Sequence, residues 1–151
     1  CSGRAEMPDL DRFLEAQRDI YDRAHDEIVA GAKQSHWMWF IFPQIAGLGH
    51  SANARFYALS GLEEARDYLA HPILGKRLEQ CTDAMLTWAG KKSAEAILGD
   101  IDALKLRSSM TLFDAAARSA SEDGPYADVL TAFYEGQRDP RTLDLLDSGT
   151  A

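Results

Sequence analysis

Apolar residues recur at spacings of three and four along most of this chain, and almost nowhere do they alternate one by one. Leu10, Phe13, Leu14, Ile20, Tyr21, Ala24 and Ile28 form one such stripe, behind Pro8 and Asp9 as start signals and ahead of Gly31 as a stop. They predict a single long amphipathic helix. Ser60 and Glu63 match a capping box and open a helix from Gly61 to Leu69, before Pro72 interrupts the pattern. Ile73, Leu74, Leu78, Cys81, Met85 and Trp88 line the inner side of a third helix, from Pro72 to Trp88, stopped by Gly90. Ser93 starts a short turn of helix that ends at Gly99, and Asp100 caps a longer one with Leu106, Met110, Phe113 and Ala117 as its stripe. Gly124-Pro125 opens another, closed by Gly136, and Asp139-Pro140 starts a last one carrying Leu143, Leu145 and Leu146.

One stretch breaks the period. SHWMWFIFPQ, Ser35 to Gln44, holds two of the chain's three tryptophans and two of its six phenylalanines. From Trp37 to Phe42 it lacks helical spacing, so it reads as extended or irregular and ends at Pro43. The whole pattern predicts an all-α fold: a single compact multi-helix domain with one irregular aromatic segment, residues 35–50, between the first and second helices. The domain covers residues 9–147, with 1–8 as a disordered or cloning-derived N-terminus and 148–151 as a tail. Met7 reads as the natural start; a lipid-bearing Cys1 of a processed lipoprotein is the other reading of that end.

A chain of 151 residues is large enough for one self-sufficient core without disulfides or structural metal. No apolar run approaches the roughly 18 residues that span a bilayer, so no membrane partner is expected. Two cysteines, Cys1 and Cys81, outside any C-x-x-C pair, fit a reducing, cytoplasmic home. A net charge of −8 argues against a nonspecific nucleic-acid binder, which needs clustered cations to displace counterions. The acids are unevenly spread: the 35 residues from Ile28 to Leu62 contain none, while Lys33, His36, His50 and Arg55 fall within them. Burial of the segment accounts for that, and so does a pocket that tolerates an anion; both readings stay open.

His25, His36, His50 and His71 show neither the i, i+4 spacing of paired ligands nor a cysteine partner, so no metal and no cofactor is expected. Cys81 falls on an inner face and reads as an inert core thiol. Gly47-Leu48-Gly49-His50-Ser51 is either a plain turn or a backbone cradle for phosphate or carboxylate. In Lys105 to Phe113, two cations sit beside Ser108, Ser109 and Thr111, a set that suits an oxyanion and equally a helix with polar flanks. Gly136 to Thr142 reads as a helix boundary with Asp139 as cap.

The candidate site gathers these. Trp37 and Trp39 give a flat apolar wall for a ring, and Lys33, Lys105 and Arg107 neutralise an anionic group. Ser35, Gln44 and Ser108 orient it, and His36 is the candidate catalytic residue, for proton transfer near neutral pH. The expected ligand is a small anionic molecule, nucleotide-like or phosphorylated, with hydrolysis or group transfer as the least committal chemistry. The alternative is a protein interaction module or homodimer in which exposed Trp37, Trp39 and Phe42 form an apolar patch. A third reading makes all those aromatics core.

The order DLDRFLEAQ, K-x-SHWMWFIFPQ-x-x-GLG-x-S, EAR-x-YL-x-HP-x-LG-x-RL, LKLRSSMTLF and GQRDPRTLDLL closely resembles the domain of unknown function 1810 family, over Asp9 to Leu146. The resemblance implies a small, mainly helical bacterial protein with no established activity, and it supplies no catalytic residue. Some members of that family carry the label calpastatin. A calpastatin-type inhibitor is a long, disordered, polar chain, whereas this one has the periodicity of a self-folding domain, which argues against a calpain inhibitor.

Overall fold

In the computed structural model, which describes residues 8–35, 37–48, 52, 56–59, 61–119 and 124–149, the first apolar stripe folds as two helices. Helix α1 covers Pro8–Gln17 and α2 covers Tyr21–Ala30, so the single long helix read from the spacing is corrected to a pair joined by a turn. Gln17 explains the break. It takes an inner position of the stripe, is buried, and donates from Nε2 to the Phe40 carbonyl at 2.6 Å and the Tyr68 hydroxyl at 3.2 Å, while Arg77 Nη1 donates to its Oε1 at 3.2 Å. A turn of three residues then restarts the helix in phase, so Phe13, Ala24 and Ile28 still reach one core. Gly31 ends α2 in a left-handed conformation at φ 76°, returning its N–H to Ile28 O at 3.0 Å.

The aromatic segment is also corrected. Met38–Ile41 is a single helical turn, α3, with the Ile41 N–H on Trp37 O at 3.1 Å and the Phe42 N–H on Met38 O at 3.1 Å. Beyond Pro43, Ile45 and Leu59 form an isolated parallel bridge, and Arg12 clamps the returning chain by donating to Phe56 O at 2.6 Å and Ala58 O at 2.7 Å. Helix α4 follows at Leu62–Ala70, then α5 at Leu74–Leu86, α6 at Ala94–Leu98, α7 at Asp100–Ser119, α8 at Tyr126–Tyr134 and α9 at Pro140–Gly149. Ser93 caps α6, its Oγ accepting the Ala96 N–H at 3.0 Å, as its position before an apolar run predicts. Ser60, half of the expected capping box, lies outside the described residues; Gly61 precedes α4 without a side-chain cap.

The 20-residue α7 is the central strut, packed against α4, α6, α8 and α9, while α5 meets α2, α3, α4 and α8. Edge and tilted ring contacts run through the core from Phe13 to Tyr68 (5.2 Å between centroids), on to Phe113 (5.3 Å) and to Tyr126 (6.0 Å). The described residues contain nine helices and no strand longer than that bridge, an all-α fold.

Candidate functional site

The acid that the aromatic segment lacks is supplied from just before it, by α2. Glu27 Oε1 accepts the N–H of Gln34 at 2.7 Å, the N–H of Ser35 at 2.9 Å and the indole Nε1–H of Trp37 at 2.9 Å, while Oε2 accepts the Ser35 hydroxyl at 2.7 Å. Burial alone would raise this carboxyl, but the hydrogen bonds outweigh it and hold it down to about 2. Glu27 is therefore ionised at neutral pH and fixes the entry into SHWMWFIFPQ.

A second acid arrives from α7. Lys33 Nζ lies 2.8 Å from Asp102 Oδ2, and Lys105, one turn further along α7, reaches Oδ1 of the same carboxylate at 3.4 Å. Each lysine also faces an indole: Lys33 Nζ stands 5.1 Å from the Trp37 ring centroid and Lys105 Nζ 4.1 Å from that of Trp39. The two cations are not equivalent. The Lys33 side chain is 9% exposed and closely paired, whereas Lys105 is 22% exposed, more loosely paired, and lies over a half-buried ring.

The structure thus brings Lys33, Ser35, Trp37, Trp39 and Lys105 into one cluster around Glu27 and Asp102. Two expectations need correction within it. Ser35 and Trp37, read as ligand contacts, are bound to Glu27, and Trp37 and Phe42 are fully buried, so they form no exposed aromatic patch for a partner or a homodimer. Their density serves packing, since Met38, Phe40, Ile41, Ile45 and Leu59 of the acid-free stretch are buried with them. Gln44 contributes its main-chain carbonyl, which accepts the Leu59 N–H at 2.9 Å. His36, Gly49, His50, Ser51 and Arg55 lie outside the described residues, so the expected proton carrier and most of the glycine turn have no described geometry.

Arg107 and Ser108 share α7 with Lys105 but are committed elsewhere. Arg107 donates from Nε to Gln137 O at 3.1 Å and from Nη2 to Arg138 O at 2.9 Å. Ser108 Oγ donates to Asp139 Oδ2 at 2.9 Å, and the Asp139 N–H donates to Thr111 Oγ1 at 2.9 Å. The same Asp139 oxygen accepts the Thr142 N–H at 3.1 Å and hydroxyl at 2.6 Å, which is the cap expected for α9. Arg138 closes the set by donating to Asp114, which also pairs with Arg118 at 3.2 Å. These contacts hold the C-terminal segment on α7, and they engage Arg107 and Ser108, the two residues among them expected as ligand contacts.

Cys81 is buried in α5, where burial pushes its thiol up to about 12 against the pull of the Tyr21 hydroxyl and Arg77, so it is no nucleophile near neutral pH. Among the described residues no three of His, Cys, Asp or Glu are gathered as metal ligands, and no helix is long and apolar enough to cross a membrane.

A family model described as a protein of unknown function, DUF1810, matches residues 7–146. The chain belongs to that family. It is also similar to a conserved hypothetical protein from Mycobacterium tuberculosis known from a crystal structure, at 45% identity and a TM-score of 0.86, over 92% of this chain and 96% of that one. No curated protein matches the chain.

Two DUF1810 motifs in this chain, LKLRSSMTLF and GQRDPRTLDLL, turn out to grip one another. Glu27 and Asp102, which organise the aromatic motif, were missed by the reading of candidate residues. Two signals pointed to them: Glu27 is the residue immediately before the acid-free stretch, and Asp102 stands three positions ahead of Lys105. A folded helical DUF1810 protein is not the extended chain of a calpastatin-type inhibitor, and that label does not describe it.

Proposed function

We propose that this DUF1810 protein binds a small anionic metabolite carrying a flat ring, nucleotide-like or phosphorylated, at the outer face of Trp39. The observation that supports it is the asymmetry at Asp102. Lys33 already satisfies that carboxylate at 2.8 Å, which leaves Lys105 at 3.4 Å as a cation held loosely over an indole. An incoming oxyanion draws the Lys105 ammonium onto itself, and the ligand's ring takes the place the ammonium leaves on the Trp39 face. Lys33 keeps Asp102 neutralised meanwhile, so the carboxylate does not repel the anion. Ser35 and Trp37 act through Glu27 as supports that fix Lys33 and Trp39 in place. Hydrolysis or group transfer at this face would rest on His36. The buried free thiol of Cys81 fits a reducing, cytoplasmic compartment.

Tryptophan fluorescence tests the reading, with adenosine monophosphate, ribose 5-phosphate and inorganic phosphate as probes. Saturable quenching by the first, lost in Trp39→Leu and in Lys105→Ala, is the expected result. No saturable change with any probe, or unaltered binding in Lys105→Ala, overturns it. Turnover of a bound probe that disappears in His36→Ala separates an enzyme from a binding protein.

A further inference from the structure

A hollow of about 320 Å3 opens where α4 turns into α5, away from the Lys105 cluster. Its wall comes from the HP-x-LG-x-RL motif, through His71, Pro72, Gly75 and Lys76, with Glu79 one turn further on and Tyr126 at the start of α8. That volume is at the small end of ligand sites, which start near ~300 Å3. Gly75 is what lets the two helices close on each other here: a Cβ at that position would stand 2.2 Å from the Leu69 carbonyl oxygen.

Three side chains of the hollow, His71, Lys76 and Glu79, present polar groups to it. His71 Nδ1 accepts the N–H of Ile73 at 3.1 Å and of Leu74 at 3.2 Å, covering the first amides of α5. A ring nitrogen that accepts carries no hydrogen, so the imidazole hydrogen sits on Nε2, and no described residue accepts it. Lys76 and Glu79 stand at i, i+3 on α5, a spacing at which opposite charges commonly pair, yet neither makes an ion pair or hydrogen bond with any described residue. The hollow therefore offers two donors, one carboxylate and one aromatic ring.

We propose that it is a binding site for a free α-amino acid or an equally small zwitterion. The ligand carboxylate accepts from His71 Nε2–H and from Lys76, its ammonium group donates to Glu79, and its side chain lies against Tyr126. A plain anion would meet Glu79 and a plain cation would meet Lys76, so only a molecule with both charges leaves no uncompensated group. This site is independent of the Trp39 face, and it gives the HP-x-LG motif a role.

Proton NMR titration of the full chain tests it, following the His71 and Tyr126 ring signals with the twenty amino acids, acetate and methylammonium as probes. At least one amino acid should shift both rings saturably, and Lys76→Met and Glu79→Gln should each weaken it about tenfold, the loss of one charge contact. Acetate and methylammonium, each carrying only one of the two charges, should give no saturable shift, and saturation by either of them as tight as by an amino acid would overturn the need for both charges. Lys105→Ala should leave all of these unchanged. Both Lys76 and Glu79 are exposed, so the variants fold. The proposal is overturned if no amino acid shifts the rings saturably, or if either charge can be removed without loss.

Discussion

Lys33 Nζ lies 2.8 Å from Asp102 Oδ2, and this ion pair ties the entry of the aromatic segment to the first turn of α7. Both side chains are largely shielded, at 9% and 17% exposure, so removing one partner leaves the other poorly solvated. Lys105, on the same carboxylate at 3.4 Å and more exposed, contributes as a surface cation does. Urea unfolding of Lys33→Met should show a loss of about 2 kcal/mol, and Lys105→Met a loss below about 1 kcal/mol. Equal losses would mean that the two cations hold Asp102 alike, and the asymmetry on which the ligand site rests would be gone.

Glu27 makes stability depend on pH in a defined direction. Its folded carboxyl, at about 2, lies below the ordinary 4.5, so the folded state favours the ionised form. The stabilisation is complete above the ordinary value and drains away as pH falls from there towards the folded value. Because the carboxylate is partly open to solvent, Glu27→Gln should cost only about 1–2 kcal/mol at neutral pH. The gap between wild type and variant should close on acidification below 4.5. A gap that stays constant through that window in pH-dependent unfolding would show that the carboxylate charge is not what pins Ser35 and Trp37.

The parts of the fold legible in the sequence are those whose cause is local. Leu106, Met110 and Phe113 mark the inner face of α7 because one helix surface meets the core throughout, and Ser93 and Asp139 cap helices through amides three residues away. The turn at 18–20 stayed hidden because it preserves the apolar phase on both sides and because its anchor, Gln17, is a polar residue in an inner position. Four residues, Met38–Ile41, are too few to display a helical period. The candidate site was half legible. Lys33 and Lys105 do meet, with Trp39 under Lys105, but the carboxylate that joins them shares α7 with Lys105 and is distant in the chain from Lys33, and only the fold brings the two together. Arg107 and Ser108 are expected to join Lys105 at the ligand; what separates them is the segment 137–139 leading into α9, which covers one side of α7 and takes up both side chains.

That coverage predicts a measurable coupling. Ser108 and Asp139 share a hydrogen bond of 2.9 Å, while Asp139 also caps α9 through Thr142. Asp139→Ala should therefore cost about 1–2 kcal/mol, the usual value of a cap with a further charge-assisted bond. Ser108→Ala should cost less, and the double variant should fall short of the sum by at least about 0.5 kcal/mol, as for residues in direct contact. Strict additivity in a double-mutant cycle would remove the contact from the account of how the C-terminal segment docks.

Two glycines separate steric from conformational need. Gly90 has φ 78° with open space around its missing Cβ, so Gly90→Ala meets only the left-handed backbone penalty, about 1 kcal/mol. Gly75 lies within α5 without that backbone requirement, but its Cβ would press on the Leu69 carbonyl oxygen at 2.2 Å, a backbone atom that cannot swing aside. Helix propensity alone would make Gly75→Ala stabilising by about 1 kcal/mol. The contact reverses the sign, because α4 and α5 must part to admit a methyl group, and overpacking of this kind costs about 1–3 kcal/mol. Thermal unfolding of the two variants decides it: Gly75→Ala should be the more damaging, and a stabilised Gly75→Ala would show that the close approach of α4 and α5, and with it the wall of the hollow at His71, is not a fixed part of the fold.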